Sequence, residues 1–159
     1  MKSFVIALAL SCALLSVAGA QSASSGQRPT QEAYVPDLGD LMSTTRLRHF
    51  KLCFAGNVKN WPLADYELGT IRKSFEAATT MYPVLNTVSE KKLIEEVSYP
   101  ALDEIAKAIK AKDTTAFSKS FEMLTEACND CHKATRVPFI AIRIPTSSPF
   151  INQSFSPAP

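Results

Sequence analysis

Residues 117–132 read FSKSFEMLTEACNDCH, and their pattern decides how the chain is expected to fold. Apolar and sulfur-containing side chains recur at steps of four, three, four and three residues, at Phe117, Phe121, Leu124, Cys128 and Cys131. This period predicts an amphipathic helix with one continuous inward seam. Because the two cysteines continue that seam, we expect whatever they bind to lie inside the fold and not on a surface loop.

The same helix ends in the pattern Cys-x-x-Cys-His, from Cys128 to His132. This pattern is the attachment signal for c-type haem. Residues three apart share one face of a helix, so both sulfurs can form thioethers with the vinyl groups of one porphyrin. The adjacent imidazole can then bind the iron from below the ring. We therefore predict one covalent haem c, held by Cys128 and Cys131, with His132 as the proximal iron ligand.

Other interpretations of the two cysteines are weaker. A thioredoxin-like redox pair needs a βαβ context, which this sequence lacks. A structural zinc site needs four ligands, and the motif supplies three. A disulfide across so short a loop within a helix has strained geometry. The alternative from a different class is a non-haem interaction module in which the pattern is a coincidence.

The amino terminus has the features of a secretory signal peptide. Lys2 gives a positive start, residues 4–15 are mostly apolar, and Ala20 completes an A-x-A cleavage site. We predict that residues 1–20 are removed after Ala20 and that the protein is exported to the periplasm. Cys12 raises a lipid anchor as an alternative, but the residues before it fit such a signal poorly. The apolar run is too short to span a membrane.

Length and composition limit the number of domains and the kinds of partner that the protein can have. The 159 residues suit a single domain after removal of the signal peptide. The formal net charge of +2 is too small to indicate a nucleic-acid or anionic-membrane partner. With Cys128 and Cys131 assigned to haem, Cys53 is left as a lone thiol, most simply a small buried hydrophobe.

The rest of the chain divides into three further segments. Residues 21–36 are polar and read as a flexible leader, residues 37–136 as a four-helix haem domain, and residues 137–159 as an extended apolar tail. The four helical patterns run from Asp37 to Asn60, from Pro62 to about Tyr82, from a cap at Ser89 to about Ile109, and from a cap at Asp113 until Pro138. Pro100 interrupts the third pattern and predicts a kink or a split near Tyr99. No hairpin is predicted.

Four helices with Cys-Asn-Asp-Cys-His near the end of the last one resemble the class II c-type cytochromes, the cytochrome c′ and cytochrome c556 group. The resemblance covers residues 37–136 and implies an all-α, up-down-up-down four-helix bundle. We also predict a protein that is not an enzyme and has no catalytic residues, because no nucleophile motif accompanies His49 and no substrate-binding pattern is apparent in the sequence. The apolar tail departs from that group, in which the chain ends soon after the haem motif.

The resemblance also implies that the first helix supplies whatever faces the iron on its distal side. A methionine there gives a six-coordinate electron carrier, and an apolar residue leaves an open iron that binds gases. Two residues of the inward stripe of the first helix are candidates. We rank His49 first because a neutral imidazole is the stronger ligand for iron, and Met42 second for its soft thioether. An open distal site is the third alternative.

The leading expectation is therefore a periplasmic mono-haem cytochrome that transfers electrons between redox partner proteins. The alternative is a five-coordinate cytochrome c′-like protein that binds or senses NO or CO. Arg46 and Arg136 are candidates to pair with the haem propionates. The outer apolar side chains of Phe50, Phe54 and Leu63 suggest a homodimer.

The tail carries too many large apolar side chains for a solvated segment. We expect a set of these side chains to pack back on the helices: Phe139, Ile140, Ile142, Ile144, Phe150 and Ile151. Covering the exposed haem edge is one use for such a tail. A strap across another groove and a partner-docking segment are the alternatives.

Overall fold

The structure is a computed structural model that describes residues 34–157. The predicted signal peptide, residues 1–20, and residues 21–33 of the predicted leader lie outside the described residues. Within residues 34–157 the chain is mostly helical, with little strand. The predicted all-α class is therefore confirmed.

The first two helices begin at the caps that the sequence predicts or allows. Helix α1 spans Leu38–Asn57 and helix α2 spans Trp61–Met81. Asp37 caps α1, since its carboxylate accepts the backbone N–H of Asp40 at 2.8 Å and the Asp40 carboxylate accepts the Asp37 N–H in return. The side chain of Asn60 caps α2 by accepting the backbone N–H of Leu63. Asn60 is thus the start of α2 and not the end of α1, which stops at Asn57.

The third helical pattern is one continuous segment with a change of hydrogen bonding in its middle. Helix α3 spans Glu90–Leu93, a π-helical turn covers Ile94–Ser98, and helix α4 spans Tyr99–Ala111. Pro100 lies in the first turn of α4, where its missing N–H costs least. The π turn lies where the sequence predicts a kink or a split, just before Tyr99. Ser89 caps α3 as predicted, by accepting a backbone N–H through its hydroxyl.

The last helix, α5, spans Thr114–Ala134. The carboxylate of Asp113 caps it by accepting two backbone N–H groups, at 2.9 and 3.0 Å, as the sequence predicts. The helix ends four residues before Pro138. Arg136 adopts a left-handed conformation with φ of 67° and redirects the chain.

A small hairpin between α2 and α3 was not predicted. Strands β1, Val84–Leu85, and β2, Val88–Ser89, pair antiparallel. Asn86 and Thr87 form the turn, and both have positive φ. The Asn86 side chain donates to the carbonyl of Thr135 at 3.0 Å, which fixes the hairpin to the end of α5. The sequence analysis missed it because the strands are too short to show an alternating pattern.

The core lies among the long helices, because α1 packs on α2 and α5, and α4 packs on α2 and α5. Each large apolar side chain in it contributes roughly 1.5–3 kcal/mol by leaving water. Its most buried members are Leu52, Ile71, Ile94, Leu102, Ile105, Phe117 and Leu124. Cys53 is buried, as predicted. None of the helices within residues 34–157 is long and apolar enough to cross a membrane.

The tail after α5 returns over the outer face of α1. The Phe150 ring meets the Phe50 ring edge-on at 5.5 Å between centroids, and the Phe155 ring lies 5.4 Å from that of Phe54. The side-chain amide of Asn60 donates to the carbonyl of Phe155 at 3.0 Å. The tail therefore packs on the helices, and it covers two of the three side chains from which a homodimer was predicted.

The tail side chains that make this contact differ in part from those expected. Phe150 packs as predicted and Ile142 is half-buried, whereas Phe155, which was not singled out, is buried. The prediction is wrong for a second group, whose side chains are exposed: Phe139, Ile140, Ile144 and Ile151. Hydrogen bonds, described below, hold the first part of the tail, so its apolar side chains need not all face inward.

Candidate functional site

A cavity of about 570 Å³ opens beside the end of α5, the first half of α1 and the start of α3. Cavities of roughly 300–1,000 Å³ are the usual sites of cofactor-sized molecules. Six of the seven site residues predicted from the sequence line it together: Met42, Arg46, His49, Cys128, Cys131 and His132. The seventh, Arg136, is exposed and is not among the residues that line the cavity within the described chain.

The two motif cysteines are half-buried free thiols. Burial raises the pKa of Cys128 to about 12, with a further contribution from Cys131. Burial likewise raises the pKa of Cys131 to about 11, and the nearby carboxyl of Glu90 adds to this effect. Thioredoxin-like cysteines need a lowered pKa to act as nucleophiles. These surroundings therefore do not suit thiol–disulfide exchange.

The zinc alternative also lacks its ligands. Among residues 34–157, no group of three or more His, Cys, Asp or Glu side chains is close enough to hold a metal ion. A structural zinc site needs four such ligands. Haem c makes a smaller demand on the protein, because two thioether bonds hold the ring and one side chain is enough to bind the iron.

The ring of His132 is oriented by the tail. Its Nδ1 atom lies 2.6 Å from the carbonyl oxygen of Ile140. A carbonyl can only accept a hydrogen bond, so Nδ1 is the donor, and in the neutral ring the lone pair is then on Nε2. Histidines that bind metals are commonly held in this way, by a second hydrogen bond that fixes the tautomer and the ring plane.

The ring of His49 is engaged differently. Its Nε2 atom lies 2.9 Å from Oγ1 of Thr125, and that hydroxyl donates its single proton to the carbonyl of Phe121. Nε2 must therefore be the donor, which leaves the lone pair on Nδ1. The ring also packs on Phe121 at 4.4 Å between centroids. Burial lowers the pKa of His49 to about 4, so the ring is neutral at pH 7.

Met42 lies on the same face of α1, two turns before His49. It is half-buried, packs against the core and lines the cavity. The thioether of methionine has no proton and no hydrogen bond to give up before it binds a metal. Met42 thus has a ligating atom with no hydrogen bond to break, whereas on His49 this is true of Nδ1 but not of Nε2.

Glu90 is a site residue that the sequence analysis missed. It is only 4% exposed, lines the cavity, and its Oε2 atom has no hydrogen-bond partner within the described chain. Burial raises the pKa of this carboxyl. Its position in the first turn of a helix is where surface acids commonly lie, so no local signal distinguished it. An unpartnered buried oxygen in the lining fits a cavity that receives a polar group from a ligand.

The tail contributes to the cavity as well. Val137, Ile140 and Ile142 line it on the side of the motif. This arrangement fits the alternative in which the tail covers the edge of a bound group. Comparisons of this chain with protein-family models, with curated proteins and with solved structures find no significant match.

Proposed function

We propose that this chain is an exported mono-haem c-type cytochrome that carries electrons between redox partner proteins in the periplasm. The observation that carries the proposal is that Cys128, Cys131 and His132 line one cavity together with Met42 of α1. Haem, when bound, supplies an iron that alternates between the ferric and ferrous states. In this proposal the helices form an up-down-up-down bundle of the class II type.

The lining residues fit such a group. Cys128 and Cys131 would attach the ring, and Nε2 of His132 has its lone pair free for the iron because Nδ1 is bonded to Ile140. Arg46 lines the cavity and is exposed, so its guanidinium can pair with a propionate at the solvent edge. Arg136 is not one of the proposed propionate contacts, because it is not among the residues that line the cavity.

Met42 is the distal ligand that we propose. The sequence favoured His49, but ligation through Nε2 of His49 would first break its hydrogen bond to Thr125, which leaves Nδ1 as the only nitrogen of that ring able to bind without this loss. A His132 and Met42 pair would raise the reduction potential relative to a pair of histidines. The apolar surroundings would limit water access and so favour a carrier whose ligands stay in place during electron transfer.

Covalent attachment is tested by intact-mass analysis of the protein secreted by a host that matures c-type cytochromes. The wild type should carry the mass of one haem, and the double variant Cys128→Ala, Cys131→Ala should carry none. Cys53→Ala is the matched control, because Cys53 is a cysteine outside the motif and should leave the haem in place. A wild-type chain of bare polypeptide mass would exclude the proposal.

The distal ligand is tested by optical spectra of the oxidised and reduced protein. Met42→Leu should convert a low-spin haem into a high-spin haem that binds CO readily, whereas Met123→Leu, at an exposed methionine, should not. A wild-type haem that is already high-spin and binds CO would instead support the gas-binding alternative. Loss of the low-spin form only in His49→Gln would identify His49 as the ligand.

A further inference from the structure

The segment that follows α5 folds back on the Cys-x-x-Cys-His motif, and we call residues 137–142 the proximal strap. We propose that Asn129, between the two cysteines, is a positioning residue that fixes the proximal strap and, through it, the ring of His132. This inference rests on the proposed haem function, because its consequence is a property of the iron that His132 binds.

Asn129 holds the strap with both halves of its side-chain amide. Its Nδ2 donates to the carbonyl of Ile142 at 3.0 Å, and its Oδ1 accepts the N–H of the same residue at 2.8 Å. Two opposed hydrogen bonds to one residue fix the direction of the strap as well as its distance. The identity of the side chain matters, since an isosteric leucine could form neither bond.

The bond to His132 follows from this attachment. Asn129 and His132 are three residues apart, so they share one face of α5. Ile140 and Ile142 are two apart in the strap. The Asn129–Ile142 pair therefore holds the carbonyl of Ile140 against Nδ1 of His132, at 2.6 Å.

The start of the strap is fixed by the end of the helix. The N–H of Val137 donates to the carbonyl of His132 at 2.8 Å, and the N–H of Arg136 donates to that of Lys133 at 3.1 Å. With the left-handed Arg136, this pair of bonds is a Schellman motif, which reverses the chain at the end of a helix. The strap is thus attached at both ends, at the Schellman turn and at Asn129.

Apolar packing alone would not hold the strap. Phe139 is 80% exposed and Ile140 is 46% exposed, and the apolar side chains of Val137 and Ile142 are only half-buried. The polar bonds of Asn129 and His132 are therefore the contacts that give the strap its position.

The chemical consequence falls on the iron ligand. A hydrogen bond from Nδ1 to a carbonyl increases the electron density at Nε2 and fixes the ring plane. A more basic imidazole stabilises the ferric state and so lowers the reduction potential. Releasing the strap should therefore raise the potential of the bound haem and loosen the orientation of the His132 ring.

The experiment compares holo-protein variants from a maturation-competent host. Asn129→Leu removes both bonds of the clamp, and Ile142→Pro removes one of them from the strap side without altering the motif. Asn152→Leu is the control, since Asn152 is an exposed asparagine elsewhere in the tail. We expect both clamp variants to shift the reduction potential upward and to change the hyperfine-shifted proton resonances of the His132 ring, with the larger effect in Asn129→Leu. The control should match the wild type.

A second measurement reports the strap itself. Arg143 is exposed and follows the strap directly, so trypsin should cleave after it faster in both clamp variants than in the control. Faster cleavage with an unchanged potential and unchanged ring resonances would overturn the inference, because the clamp would then be structural only. If Asn129→Leu does not acquire haem, the reduction potential and the ring resonances of Ile142→Pro test the inference. A wild type without haem would instead refute the proposed function, and the trypsin comparison would still report the clamp.

Discussion

The imidazole of His49 in α1 donates a hydrogen bond from Nε2 to Oγ1 of Thr125 in α5, across 2.9 Å. The two residues are 76 positions apart in the chain, and the bond joins the helix that faces the candidate site to the helix that carries the motif. It is buried, so it constrains both the tautomer of the neutral His49 ring and the distance between the two helices.

The first prediction is a loss of stability in mild acid. Burial lowers the pKa of His49 from its ordinary 6.5 to about 4. Between these values the unfolded chain binds a proton that the folded chain does not, so the stability present above pH 6.5 is lost as the pH falls toward 4. The loss approaches about 3 kcal/mol. Urea unfolding of the holo-protein at pH 7.5, 5.5 and 4.5 measures it.

His49→Gln is the matched variant for this prediction. A glutamine can still donate to Thr125 but does not titrate, so the variant should lose less stability than the wild type over the same pH range. Equal losses in the two proteins would assign the acid sensitivity to other groups.

A second prediction concerns two glycines within helices. A Cβ built on Gly56 of α1 would overlap the ring of Phe117, whereas a Cβ on Gly69 of α2 meets no atom within 4 Å. Gly56→Ala should therefore cost about 1–3 kcal/mol through overpacking against a fully buried ring. Gly69→Ala should stabilise the protein by about 0.5–1 kcal/mol, because alanine is the better helix former. Urea unfolding of both variants checks the opposite signs of the two changes in stability. A more stable Gly56→Ala variant would contradict the close packing of Gly56 against Phe117.

The contrast between local and distant contacts explains what the sequence could predict. The caps at Ser89 and Asp113 depend on side chains that bond within three residues, and both are where the sequence predicted them. The β-hairpin escaped prediction because its strands are too short to show an alternating pattern and because its turn, Asn86-Thr87, also lacks the glycine that usually marks such turns.

The candidate site was predictable only in part, for the same reason. The motif and the stripe of α1 fixed which residues line the cavity, because a helical period determines a face. The burial of Glu90 and the contact of Phe155 with Asn60 depend on residues from distant parts of the chain. No local pattern records such contacts, so they appear only once the chain is folded.

Glu90 gives a third prediction, with a pH dependence opposite to that of His49. Burial raises the pKa of its carboxyl above the ordinary 4.5. The unfolded chain therefore releases this proton first, and stability declines as the pH rises from 4.5 through the raised value. Glu90→Gln cannot ionise, so its stability relative to the wild type should increase from pH 4.5 to pH 7. The exposed Glu122→Gln is the control, and parallel pH profiles for all three proteins would contradict the prediction.

The last prediction separates the two phenylalanines at the ends of the tail. Phe155 is 8% exposed and packs on Phe54, whereas Phe139 is 80% exposed. Phe155→Ala should remove most of the apolar contact that holds the end of the tail, a loss of up to about 3 kcal/mol. We expect the tail to detach while the helices stay folded, so the effect should appear chiefly as faster proteolysis of residues 144–157 and less as a lower unfolding midpoint. Phe139→Ala should leave the rate of proteolysis unchanged and should change the free energy of unfolding by no more than about 0.5 kcal/mol. Equal proteolysis of the two variants would show that the docking of Phe155 does not hold the tail.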